Sequence, residues 1–116
     1  MLKKENRLKK NKHFNYIYKN GDYAKAGCVS LCYIKTKVKP FKVGFSVSNK
    51  IGKSVVRSKV KRRMSEIVKA LIPLIDRRYN YIFVAREGIQ AKNFDEIKDD
   101  IIFVIKKAGL FNENNN

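Results

Sequence analysis

Apolar residues recur at helical spacing in three segments of the chain, and each segment is predicted to form an amphipathic helix. In the first, Phe14, Ile17 and Tyr18 fall on one face of a short helix over residues 12–20. The second segment predicts a long helix over residues 54–72, which a serine can open and a proline helps to end. The predicted buried stripe of this long helix consists of Val56, Val60, Met64, Ile67 and Leu71.

The last helix carries signals at both of its ends. Asn93 and Glu96 have the spacing of a capping pair, and Gly109 has the position of a C-terminal stop. The predicted buried stripe of this helix consists of Phe94, Ile97, Ile101, Val104 and Ala108.

Other segments have the patterns of β-strands. Residues 28–36 and 42–47 alternate in polarity, which predicts two strands joined across residues 37–40. Residues 81–85 form a continuous apolar run, which is typical of a central strand buried on both faces. A further short strand is weakly indicated around residues 23–25.

The element order α-β-β-β-α-β-α predicts an α+β fold, a single-domain two-layer α/β sandwich with the helices on one face of the sheet. A chain of 116 residues can build one hydrophobic core but not two domains. We therefore predict a flexible basic arm over residues 1–11, one α/β domain over residues 12–110 and a disordered tail over residues 111–116.

No apolar run approaches the roughly 20 residues that a membrane-spanning helix needs, and the N-terminal residues lack the apolar core of a signal peptide. We expect a soluble, cytoplasmic protein that has no membrane partner.

The charge is high and unevenly distributed. The formal net charge is +17; residues 1–63 contain 19 Lys or Arg and two carboxylates, whereas residues 64–116 contain eight of each sign. A field of this sign attracts polyanions, and without an apolar anchoring helix the expected polyanion is nucleic acid.

The residue types that usually carry catalysis are sparse. His13 is the only histidine, and one histidine cannot supply both groups of a general acid–base pair. The carboxylates at positions 95, 96, 99 and 100 are expected to form a solvated helix face. Cys28 and Cys32 are too far apart along a strand to pair with each other, so we expect two reduced thiols and no metal site. No catalytic residue is predicted.

Residues 43–63 combine the features of a phosphate-binding segment. A strand leads through a polar turn with Gly52 into a helix whose first turns are strongly basic, which places free backbone N–H groups beside long cationic side chains. Phe14 and Tyr18 on the first helix, and Tyr33 on a strand, are candidates for stacking on single-stranded bases, with a core role as the alternative.

Residues 44–62, which read GFSVSNKIGKSVVRSKVKR, resemble the signature of the bacterial ribonuclease P protein subunit. Residues 2–8, 14–21 and 81–86 match the same family in order and spacing. The resemblance covers residues 1–110.

This resemblance implies a subunit of a ribonucleoprotein in which the RNA removes the 5′ leader of precursor tRNA. It implies Mg²⁺ bound mainly by the RNA, the catalytic RNA and precursor tRNA as partners, and no obligate protein partner. It also implies a left-handed βαβ crossover, similar to that of a small-subunit ribosomal protein domain.

The resemblance also assigns candidate RNA-binding residues. Contacts to the catalytic RNA are expected at Lys53, Arg57, Lys59, Lys61 and Arg62. A cleft for the tRNA leader is expected at Phe14, Tyr18, Ser46 and Lys50. The sequence departs from the family pattern at Ser58, Ser65 and Cys32.

The alternative function is a ribosomal or general single-stranded RNA-binding protein without a role in tRNA processing. A helix-based DNA binder is disfavoured because no helix-turn-helix pair is visible.

Overall fold

The computed structural model describes residues 3–112 as three α-helices and a four-stranded sheet. The predicted α+β class and the element order α-β-β-β-α-β-α are confirmed, and the weakly indicated first strand is present. The helices are α1 (Asn11–Asn20), α2 (Ser54–Leu71) and α3 (Phe94–Ala108), and the strands are β1 (Asp22–Ala26), β2 (Val29–Lys35), β3 (Val43–Ser46) and β4 (Tyr79–Ala85).

The strand order in the sheet is β1-β2-β4-β3. β4 pairs antiparallel with β2 and parallel with β3, so α2 connects two parallel neighbours. Tyr81, Ile82 and Phe83 are fully buried, as the continuous apolar run of a central strand predicts. The βαβ crossover that the resemblance implies is therefore present. The left-handed sense of this crossover stays a prediction.

One face of the sheet packs against α2 and α3 and forms the main core. In α2 the predicted stripe is buried from Val60 onward, and Val56 is partly buried. In α3 the Asn93 side chain accepts from the Glu96 N–H, and the Glu96 carboxylate accepts from the Asn93 N–H, so the predicted capping pair is confirmed. Phe94 is 39% exposed, because it lies at the first position of the helix, and its assignment to the buried stripe was wrong.

α1 packs against the opposite face of the sheet, so the expectation of helices on one face holds only for α2 and α3. Its Ile17 joins Leu8, Cys32 and Ile82 in a second, smaller apolar cluster. Cys32 and Ile82 are cross-strand partners whose side chains point away from the main core. Both faces of β4 are thereby covered.

The segment preceding α1 lies along β3. Its Leu8 N–H donates to the Val43 carbonyl (2.9 Å), and the Leu8 side chain is buried. The Asn6 side-chain amide donates to the Phe41 carbonyl (2.8 Å). A flexible arm over residues 1–11 was predicted; its described part, from residue 3, is held by these contacts, because Leu8 supplies an apolar anchor.

The C-terminal residues that the structure describes also contact the domain. Phe111 forms an antiparallel bridge with Ile75, and the Asn112 N–H donates to the Leu74 carbonyl (2.7 Å). The rest of the predicted tail, residues 113–116, lies outside the described residues.

Candidate nucleic-acid interface

An open cleft of about 1020 Å³ lies between α1, the outer strand β3 and α2. Phe14 and Tyr18 from α1, Gly44 and Ser46 from β3, and Lys61 from α2 all line it. Residues that are far apart in the sequence meet here because β3 is an edge strand that leads through a short turn into α2. We call this surface the cleft.

The aromatic side of the cleft consists of Phe14 and Tyr18, whose ring centroids lie 6.4 Å apart. Phe14 is half-buried against the second apolar cluster, whereas Tyr18 is 44% exposed. The Phe14 ring lies over Gly44, where a Cβ atom would come within 2.6 Å of its Cζ atom. Phe14 is thus both a packing residue and a wall of the cleft, and Tyr18 offers a ring to a ligand.

The basic side of the cleft carries Lys61 and Arg62 from α2, facing Arg7 and Lys9 from the segment before α1. The described residues that line the cleft include no carboxylate. Neither Lys61 nor Arg62 has a carboxylate of residues 3–112 within ion-pair distance; within that range the ion pair found joins Arg78 and Asp76. The cleft is therefore an electropositive groove with an aromatic wall, suited to a single strand whose bases stack and whose phosphates meet cations.

A second, smaller groove of about 330 Å³ runs along α2 outside the cleft, and we call it the outer groove. Ser58, Lys59 and Arg62 line it, and Ser58 and Arg62 line the cleft as well. α2 therefore presents cations on two adjoining surfaces, one inside the cleft and one outside it.

The turn between β3 and α2 places the remaining candidate cations. Lys53 stands at the N-cap of α2 without a side-chain capping hydrogen bond and is exposed. The Arg57 Nε–H donates to the Gly52 carbonyl (3.1 Å), so this half-buried guanidinium also holds the turn. Lys50 is exposed on a short 3-10 helix and is not among the lining residues of the cleft.

The structure brings three of the four predicted leader-cleft residues into the cleft: Phe14, Tyr18 and Ser46. Of the positions that depart from the family pattern, Ser58 and Ser65 line the cleft, whereas Cys32 is buried beneath α1.

Sequence reasoning missed the contribution of Arg7, Lys9, Asn11 and Asn15 to the lining of the cleft. The available signal was Leu8, an isolated apolar residue in a basic segment, because such a residue can anchor its charged neighbours against the domain.

Neither a metal site nor a membrane-spanning helix is found among the described residues. No group of three His, Cys, Asp or Glu side chains between residues 3 and 112 could hold a metal ion. Within the same range, every helix is too short or too polar to span a bilayer.

Comparisons with known proteins identify the family of this chain. A family model described as Ribonuclease P matches residues 2–109. The ribonuclease P protein component of Clostridium novyi is 37% identical over 113 residues, which are 96% of this chain and 100% of the relative. That of Clostridium botulinum strain 657 is 36% identical over 110 residues, 94% of this chain and 99% of the relative.

The fold is also shared with solved structures. The Staphylococcus aureus RNase P protein has a TM-score of 0.86 at 32% identity, with 94% of this chain and 100% of that chain covered. The Thermotoga maritima RNase P protein, at 21% identity, has a TM-score of 0.79 and shares the fold. The chain therefore belongs to the ribonuclease P protein family, as the protein subunit of a bacterial endoribonuclease that processes tRNA and as a partner of the ribonuclease P RNA.

Proposed function

We propose that this subunit holds the 5′ leader of precursor tRNA in the cleft while the partner RNA removes it in the cytoplasm. The observation that carries the proposal is the pairing of an aromatic wall, Phe14 and Tyr18, with the cations Lys61 and Arg62 in one groove without a carboxylate. Stacking on such rings contributes about 1–3 kcal/mol per base and tolerates any base, as a leader that differs between tRNAs requires.

The same chemistry supports catalysis by the RNA rather than by this chain. The described residues that line the cleft are cations, amides, hydroxyls and hydrocarbon, with no histidine and no carboxylate to move a proton. Mg²⁺ is usually held by carboxylates and phosphates, which this lining does not provide. We therefore assign Mg²⁺ to the RNA and give this chain the role of positioning the substrate.

In the same proposal the outer surface of α2 binds the catalytic RNA. Lys59 and Arg62 line the outer groove of α2, which adjoins the cleft, and Lys53 stands at a helix N-terminus whose N–H groups have no side-chain cap. Backbone N–H groups and flexible cations together suit phosphates of a folded RNA. Arg62 links the two surfaces, so the leader and the catalytic RNA would be held side by side.

Reconstitution with the cognate RNA subunit tests this function. We expect the protein alone to cleave nothing, and the holoenzyme to cleave precursor tRNA at Mg²⁺ concentrations at which the RNA alone is slow. A protein that leaves both the Mg²⁺ requirement and the KM of the RNA unchanged would contradict the proposal. Family membership already argues against the alternative of an RNA-binding protein without a role in tRNA processing.

A further inference from the structure

A second concave surface, which we call the N-terminal bowl, adjoins the cleft. It is an open depression of about 590 Å³ formed by residues 3–10, the first turn of α1 and Lys42. Its cations are Lys3, Lys4, Arg7, Lys9, Lys10 and Lys42. Among the described residues that line it, Glu5 is the only carboxylate and none is Phe or Tyr. The bowl therefore offers mainly positive charge, and His13 is the one aromatic ring among the described residues that line it.

The bowl has a defined shape because the segment that forms it is docked. Leu8 is buried and its N–H donates to the Val43 carbonyl, while the Asn6 side chain donates to the Phe41 carbonyl. The Lys42 ammonium donates to the Glu5 carbonyl oxygen, which ties the far end of the segment to the domain. Cations held on a fixed backbone lose less conformational entropy on binding than those of a free arm.

The bowl and the cleft are continuous. Arg7, Leu8 and Lys9 line both surfaces, so a strand that leaves the cleft over this segment enters the bowl directly. The opposite wall of the cleft is formed by α2, and the outer groove of the same helix is the surface that we assign to the catalytic RNA. A leader that comes from the RNA's active site would thus pass α2 first and reach the segment before α1 last.

We propose that the N-terminal bowl binds the phosphate backbone of leader nucleotides that lie 5′ of those in the cleft. The proposal rests on the assignment of the cleft to the leader. Because contacts to phosphates carry no sequence information, the cations of the bowl add affinity without adding sequence preference. The bowl makes affinity depend on leader length beyond the nucleotides that the cleft holds.

The test uses the holoenzyme and a series of precursor tRNAs whose leaders grow one nucleotide at a time. In wild type, affinity is expected to rise while the cleft fills and to rise further while the bowl fills. Lys4→Ala combined with Lys10→Ala should remove the second rise, a loss on the order of tenfold for the longest leader and none for the shortest. The salt dependence of binding should flatten by about 1.4 units for the longest leader, from two phosphate contacts of about 0.7 each.

Matched variants separate this effect from net charge and from folding. Lys98→Ala combined with Lys106→Ala removes the same charge from exposed positions on α3 and should leave the length dependence intact. Lys4→Arg combined with Lys10→Arg keeps the charge and should restore the second rise. Thermal melting checks that the alanine variant retains the fold.

The remaining outcomes overturn the proposal in distinguishable ways. An equal loss at every leader length would mean that the bowl contacts the RNA subunit or the tRNA body instead. No loss at any length would mean that the bowl makes no contact. A wild-type holoenzyme without any dependence on the leader would instead contradict the proposed function of the cleft itself.

Discussion

At the scale of single residues, Gly44 determines how the cleft is built. A Cβ atom at this position would come within 2.6 Å of the Phe14 ring, so only glycine lets that ring approach β3 this closely. Gly44 lies in the segment that resembles the family, but hydrophobic periodicity does not explain why glycine is required at this position. The partner that requires glycine lies 30 positions earlier in the chain, on another element.

Tyr18 is the residue whose replacement tests stacking with the least disturbance of the core. It is 44% exposed and lines the cleft, whereas Phe14 also packs against the second apolar cluster. Tyr18→Ala should weaken holoenzyme binding of precursor tRNA by about 5- to 150-fold, the equivalent of one stacked base, and leave binding of mature tRNA unchanged. Equilibrium binding of the two tRNAs measures this difference.

Tyr16 provides the control on the same helix. It is 59% exposed and does not line the cleft, so Tyr16→Ala should leave leader discrimination unchanged. Equal losses for the two variants would show that the Tyr18 ring does not stack on the leader.

Cys28 gives a prediction about pH. Burial and a hydrogen bond to Asp100 raise the pKa of the Cys28 thiol to about 12, above its ordinary value of 9.0. The folded state favours the neutral thiol, so this contribution to stability is complete below pH 9 and is lost as the pH rises toward 12. Over that range the free energy of unfolding of wild type should fall relative to that of Cys28→Ala, measured by urea denaturation. Parallel curves for the two proteins would refute the effect.

At the scale of elements, the helices were the most predictable part of the fold. The 3.6-residue period of α2 identified its buried face, and Val60, Met64 and Ile67 are buried as expected. The same period placed Lys61 and Arg62 on the other side, where they line the cleft. Periodicity succeeds here because one buried face and one charged face leave a single consistent rotation of the helix.

The arrangement of the elements could not be predicted in the same way. The apolar run of residues 81–85 predicted a central strand, but neither an apolar run nor alternation shows which strands are its neighbours, so the pairing of β4 with β2 and β3 could not be predicted. The placement of α1 on the opposite face was missed for a similar reason. Only the strand pairing shows that Cys32 and Ile82 point away from the main core, so that another element, here α1, must pack against them.

The basic face of α2 predicts a measurable change in assembly. Lys59→Ala and Arg62→Ala should each weaken binding of the RNA subunit, because both side chains line the outer groove of α2. Each variant should flatten the salt dependence of assembly by about one unit for every phosphate that the replaced side chain neutralises. The measurement is the dissociation constant of the holoenzyme as a function of salt. Lys98→Ala on α3 is the control and should leave the slope unchanged. An unchanged slope for Lys59→Ala and Arg62→Ala as well would exclude this face as an RNA-binding surface.

At the scale of the whole molecule, nine of the 19 Lys and Arg in residues 1–63 line the three surfaces of the proposed interface. The cleft, the N-terminal bowl and the outer side of α2 are all lined by cations from the first 63 residues. Composition alone predicted a polyanion partner, and the fold places these nine cations on three adjoining surfaces. Repulsion between these cations destabilises the isolated subunit until anions bind.

Anion binding should therefore stabilise the free protein specifically. Millimolar sulfate or phosphate should raise Tm more than chloride at equal ionic strength, because a divalent anion fits between converging cations and chloride mainly screens them. Differential scanning calorimetry at matched ionic strength measures the difference. The same rise in all three salts would show a diffuse field without formed anion sites.

The proposed role of the cleft is to make the holoenzyme bind tRNA that carries a leader more tightly than mature tRNA. The most direct measurement is the ratio of the dissociation constants of mature and precursor tRNA, determined for the RNA subunit alone and for the holoenzyme. If the cleft holds the leader, the wild-type protein raises this ratio and Tyr18→Ala lowers it again. A ratio that is the same with and without the protein would contradict this role of the cleft.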